Sequence, residues 1–135
     1  MKYSSNNNWK PKVQNATVLD KHRFCISIGV LEYDDPFSAI IVYDGNFEQP
    51  WSRIDVKREI TAITPLRDFD AQTDHAYAVL SNEGDVYFVG AQTVSEKIDG
   101  AGIYSPDAKG LGAMNGIANI GNKLMAVGSG GQVYH

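Results

Sequence analysis

One cysteine, Cys25, is all the sequence holds, so no disulfide can close within the chain. It lies inside an apolar run, which points to a small buried hydrophobe rather than a nucleophile. Long hydrophobic stretches are missing too. Nothing approaches the ~18–20 consecutive apolar residues of a membrane helix, and Met1–Lys10 has no run of the signal-peptide kind. These absences argue for a cytoplasmic, soluble protein with no membrane partner. Bases are in deficit, 12 Lys and Arg against 16 Asp and Glu, for a net charge of −4. Phosphate binding calls for clustered bases, so nucleic acid is not an expected partner. Also missing is any long segment with a 3.6-residue apolar period, so no sizeable amphipathic helix is expected.

What is present is a hairpin that repeats. His75–Gly90 reads HAYAVLSNEGDVYFVG. Tyr77, Val79, Val86 and Phe88 supply the bulk that suits a pleated, half-buried surface, on either side of the turn-forming cluster Ser81–Asp85. Near the other end Lys123–His135 reads KLMAVGSGGQVYH. It aligns Ala78-Val79 with Ala126-Val127, Ser81 with Ser129, Gly84 with Gly131 and Val86-Tyr87 with Val133-Tyr134. Earlier, Arg23–Gly45 holds two apolar runs around the acidic, Pro-containing turn Leu31–Pro36, the second ending on Val42-Tyr43. Tyr43, Tyr87 and Tyr134 stand 44 and 47 positions apart. One module occurs about three times.

In chain order the pattern predicts a polar, flexible arm over residues 1–11 and a strand within Lys12–Leu19. Further strands follow at His22–Val30, Ser38–Tyr43, Pro50–Val56, within Lys57–Leu66, and at the two arms of the His75–Gly90 hairpin. Val94–Ile98 makes a weak outer strand. Asp99–Gly116 is a glycine-rich connection with one helical turn expected around Asp107–Leu111. Gly116–Ile120, Leu124–Gly128 and Gln132–His135 close the series, with Gly121-Asn122 as a hairpin turn. Many short strands at near-regular spacing mean an all-β protein.

A unit of ~44–47 residues built from four short antiparallel strands resembles a β-propeller blade. The resemblance covers the chain from about Thr17 onward and carries no subfamily signature: there is no WD dipeptide, no kelch diglycine and no complete Asp-box. It implies antiparallel, propeller-like blades, about three in this chain, with units at residues 12–56, 57–100 and 116–135. A β-sandwich of similar strand count is the alternative. Three blades cannot form a ring without open edges, so the resemblance implies a partial propeller: a fragment of a longer one, or one completed by another chain or by further copies of itself.

No catalytic constellation stands out. His22, His75 and His135 sit at strand edges without a partner pattern, and Gly110, Gly112 and Gly116 lack the strand–turn–helix context and the Lys of a phosphate loop. Asp68, Asp70 and Asp74 fail the EF-hand spacing, so neither a metal nor a cofactor is expected. Asn15-Ala16-Thr17 matches a glycosylation sequon by chance. Trp9 and Trp51 fit blade edges, or a stacked ligand. The functional expectation is a non-catalytic binding scaffold for a protein partner, such as an inhibitor or immunity-type partner. A carbohydrate-binding or hydrolase-type propeller is the alternative. In a blade, the loops joining second and third strands emerge on one side. Here they carry Glu32, Asp34, Asp35, Glu83 and Asp85 and no base, which suggests an acidic platform that steers a basic partner.

Overall fold

The computed structural model describes residues 12–30, 37–45, 48–66, 75–90, 94–103, 112–120 and 123–134. The protein is all-β, with eleven strands among the described residues and no helix there. The expected helical turn near Asp107 and the Gly121-Asn122 turn lie outside those residues, as does the arm over residues 1–11. The strands form three antiparallel sheets taken in chain order. The first holds β1 (Lys12–Asp20), β2 (Arg23–Val30), β3 (Phe37–Asp44) and β4 (Trp51–Val56). The second holds β5 (Ile60–Pro65), β6 (His75–Ser81), β7 (Asp85–Gly90) and β8 (Val94–Lys97). The third holds β9 (Met114–Ile120), β10 (Lys123–Gly128) and β11 (Val133–Tyr134). Each sheet is a simple meander in which every strand pairs with the next. The Lys12–Leu19 segment is the first strand of the first sheet, paired with β2 from Lys12↔Gly29 to Asp20↔Arg23.

The sheets stack face to face, and the middle one has no wet face in its centre. Tyr77, Ala78, Val79 and Leu80 of β6 are each 0% exposed. Alternation along the strand divides them. Tyr77 and Val79, with Val89 of β7, pack against Cys25 and Ile40 of the first sheet. Ala78 and Leu80, with Val86, pack against Met114 and Ala126 of the third. Along the other dimension the first strands make a row: β1 lies against β5, and β5 against β9. Asn15 of β1 ties the row together by donating its Nδ2–H to the Ile60 carbonyl of β5 at 3.1 Å. Each sheet thus has a rear face toward the preceding sheet and a forward face toward the next.

The turn geometry corrects the alignment of the repeat. Gly84 donates its N–H to the Ser81 carbonyl at 3.1 Å, and Gly131 donates to Gly128 at 3.2 Å. Both glycines have positive φ, +87° and +82°, which an L side chain resists. Val79 pairs with Tyr87 as Ala126 pairs with Tyr134. Ser81 therefore corresponds to Gly128 and not to Ser129, Val79 to Ala126, and Leu80 to Val127. A slip of one residue exchanges the two faces of a strand, so the correction decides which side chains look forward. Tyr87 and Tyr134 both lie on rear faces, each packed toward the preceding sheet.

Two substitutions test this packing by urea unfolding. Leu80→Ala should cost about 2–5 kcal/mol, the range for emptying a fully buried leucine site. Gly84→Ala should cost more than about 1 kcal/mol, because it forces a side chain into positive φ and brings its Cβ within 2.6 Å of the Ala101 Cβ. A loss within ~0.5 kcal/mol for either would contradict the register.

Candidate functional site

The turn between β6 and β7 is assembled from its own side chains. The Ser81 hydroxyl accepts the N–H of Glu83 at 3.2 Å and of Asp85 at 3.0 Å, and donates to Asp85 Oδ2 at 2.8 Å. That same oxygen accepts from Arg58 Nε at 2.7 Å. The hydrogen bond to Asp85 holds the Arg58 guanidinium above its ordinary pKa, against the opposing effect of burial. Arg58 is partly open to water, so the ion pair is worth at most about 1 kcal/mol. Its larger effect is positional. Arg58 lies in the crossover from the first sheet to the second and grips the second sheet's turn.

From this turn a chain of hydrogen bonds runs across the same end of all three sheets. Ser38, the second residue of β3, donates its hydroxyl to the Arg58 carbonyl at 2.6 Å. Asn82 donates its N–H to the Glu59 carbonyl at 3.0 Å, and its own carbonyl accepts from Met114 N–H at 2.8 Å. Ser129, in the β10–β11 turn, donates its N–H to Ala113 at 2.9 Å. Asn82 and Ser129 occupy corresponding positions, and each binds the residue just before the first strand of its own sheet. The start of β3 and the turns β6–β7 and β10–β11 are thereby bound side by side.

Of the five acidic residues expected to form a platform, the structure brings Glu83 and Asp85 together in this turn. Glu32, Asp34 and Asp35 lie outside the described residues. Glu83 is not exposed, as a turn glutamate was expected to be: it retains 4% of its surface. Its Oε2 accepts the Ile103 N–H at 2.6 Å. Gly102, at φ +103°, permits that approach, since a Cβ there would come within 2.9 Å of the Glu83 carbonyl oxygen. Asp85 is engaged by Ser81 and Arg58. Both carboxylates therefore fasten the turn to neighbouring chain. The signal available in the sequence was the small-residue run Gly100-Ala101-Gly102, which lets main chain close over an acid.

A second feature lies on the first sheet. Phe24, Tyr43 and Trp51 stand opposite one another across β2, β3 and β4 and form an aromatic ladder on the rear face of the first sheet. Phe24 and Tyr43 stack at 5.0 Å between centroids, Tyr43 and Trp51 tilt at 4.6 Å, and Phe24 meets Trp51 edge-on at 5.7 Å. Trp51 keeps 59% of its surface, so it is no core residue. Trp9 lies outside the described residues. The single register position shared by three aromatics could have been found only by fixing the strand pairing first.

The remaining candidates fall to structural roles. Cys25 is fully buried, and burial pushes its thiol up to about 12. Asn15 holds β5 as described. His22 sits exposed in the β1–β2 turn with its N–H donated to Asp20 at 2.9 Å. The Asp68–Asp74 segment lies outside the described residues. Among the described residues no group of three His, Cys, Asp or Glu side chains is placed to hold a metal ion. No helix among them is long and apolar enough to cross a membrane. Comparison of the chain with known protein families, with curated proteins and with solved structures finds no match.

Two fully buried weak acids, Cys25 and Tyr77, and the half-buried Tyr87 set an alkaline limit. Burial raises Cys25 from 9.0 to about 12 and Tyr87 from 10.0 to about 12, and it raises Tyr77 as well. Above pH 9 the unfolded chain sheds protons that the folded chain keeps, so stability falls as pH rises. The contribution is whole below about pH 9 and declines toward about pH 12. Urea midpoints measured across that window should drop, and Cys25→Ala should flatten the onset of the drop. Midpoints that stay level would mean these groups are hydrated in the folded state.

Proposed function

We propose that the chain is a propeller-type, non-catalytic scaffold that binds a protein partner at the end of the stack where the hairpin turns gather. Two arrangements support the propeller reading: the face-to-face stacking of successive meanders of four, four and three strands, and the row formed by their first strands, as around a propeller axis. The observation that carries the functional reading is the hydrogen-bonded seam from Ser38 through Arg58, Asp85 and Asn82 to Ser129. It holds separate hairpins rigid relative to one another, and a rigid set of turns is how such folds present a binding surface. With Glu83 and Asp85 fastened internally, the steering charge for a basic partner falls to Glu32, Asp34 and Asp35, in the sequence between β2 and β3. A second reading, carbohydrate binding, is favoured by the aromatic ladder, because an exposed Trp beside a Tyr offers a stacking surface.

The triple substitution Glu32→Gln, Asp34→Asn, Asp35→Asn separates these readings. The partner is captured on the immobilised native chain, identified, and its association measured against both chains at several salt concentrations. Loss of steering should slow association and flatten its salt dependence. Unaltered kinetics would move the site off the turn end. Trp51→Ala is the matching probe for sugar: loss of retention on immobilised polysaccharide, with protein capture intact, would favour the second reading.

A further inference from the structure

The two outermost faces of the stack carry exposed apolar residues, Val13, Val18 and Trp51 on one and Ile120, Val127 and Val133 on the other, and they are of opposite kind. On the forward face of the third sheet lie Met125, Val127 and Val133, with Ala118 and Ile120 of β9 beside them by register. On the rear face of the first sheet lie Val13, Val18, Ile26 and Ile41 with the aromatic ladder. The corrected repeat shows what the third sheet's forward residues correspond to. Val127 stands where Leu80 stands in the second sheet, and Val133 where Val86 stands. Leu80 and Val86 are 0% and 7% exposed because the third sheet covers them, whereas Val127 and Val133 are 38% and 51% exposed. The first sheet's rear face is likewise the counterpart of the face that Tyr77, Val79 and Tyr87 bury in the second. Twice within the chain a forward face packs on a rear face. The outer pair are the two halves of a third such contact.

From this we propose that the forward face of the third sheet docks on the rear face of the first sheet of a second copy, and that two copies close a six-bladed ring. The proposal rests on the propeller reading above. A forward-to-rear contact is heterologous, so it either closes a ring or propagates as a filament. Propellers close at about four to eight blades, and six is the only multiple of three in that range. The contact also continues an interface already formed within the chain rather than inventing one. Both faces are consumed at both junctions, and the turn end remains open to a partner.

Mass in solution, read by sedimentation and light scattering over a wide micromolar range, tests this directly. The expected result is a dimer that does not grow further. A chain monomeric throughout overturns the proposal, and a mass that keeps rising overturns closure. Val18→Lys and Val127→Glu place charges on the two faces at sites open in the single chain, so each variant should stay folded by circular dichroism. Each should weaken self-association by roughly a hundredfold or more, since an apolar junction tolerates an unpaired charge poorly. An equimolar mixture of the two should regain dimer, because one junction is then wild-type and the other carries both signs. A dimer abolished by only one of the two variants is face-to-face between like surfaces and overturns the head-to-tail arrangement. The turn-end reading is judged apart. A monomer whose partner association still slows in the Glu32, Asp34, Asp35 variant sinks the ring and spares the scaffold. A dimer indifferent to that variant does the reverse.

Discussion

The constraint on which the rest depends is that the middle sheet has to be covered on both sides. A strand with one apolar face can live at a protein surface. A strand reading Tyr77-Ala78-Val79-Leu80 cannot, because its alternate side chains point to opposite faces and all four are apolar. Leaving either face in water would forfeit roughly 25 cal/mol for every Å² of apolar surface exposed. The second sheet therefore recruits a neighbour on each side, the first through Cys25 and Ile40 and the third through Met114 and Ala126. Each neighbour in turn needs an inward apolar face, and each meets that need with the same meander. Repetition of the module is the structural answer to two-sided burial.

Face packing alone does not fix how the sheets are rotated about their common normal, since apolar contact is non-directional. Directional bonds at one end supply that. The Asn82 main chain bridges Glu59 and Met114, so one residue aligns the first strand of its own sheet with the first strand of the next. Arg58 links the first and second sheets at the same end, its carbonyl accepting from Ser38 of β3 and its side chain donating to Asp85 of β7. Each hydrogen bond nets only about 0.5–1.5 kcal/mol. Several at one end suffice to select one rotation among packings of similar burial. Asp85 is consumed in that task and Glu83 in holding the Ile103 N–H, which is why carboxylates in a loop between strands do not make an acidic surface by default.

Local chemistry was what the sequence displayed well. The β6–β7 hairpin, the positive φ of Gly84, the burial of Cys25 and the division into three meanders follow from turn residues and period-2 bulk. The alignment of the repeat was misread because Ser81 and Ser129 look alike, whereas the hydrogen bond that defines the turn runs from Gly131 to Gly128. Matching residue types rewarded the wrong register by one position, and one position is a whole face. The fate of Glu83 was hidden for a different reason. Its partner, the Ile103 N–H, is main chain, and main chain looks the same at every position of a sequence. The seam is largely of that kind. The aromatic ladder needed the pairing Phe24↔Tyr43↔Trp51, a non-local fact no window of residues contains.

The exposed faces also show a gradient that a solvent-facing surface would not need. On the rear face of the first sheet β1, β2 and β3 contribute apolar residues alone among those named above, while the outer strand β4 adds Trp51 at one end and then Arg53 and Asp55, paired to each other at 2.6 Å and open to water. On the forward face of the third sheet, Lys123 sits beside Ile120 at the end of the strand pair, away from Val127 and Val133. Apolar centre and charged margin is the anatomy of a protein interface, where the rim stays wet and the core is dehydrated. A face kept in water gains nothing from Val13, Val18 and Trp51 and carries an aggregation liability for them. The margin charges limit that liability by making indiscriminate stacking of margins unfavourable while leaving a matched centre free to close. In the ring proposed above, such an arrangement would select for one partner surface of complementary layout over sticking in general.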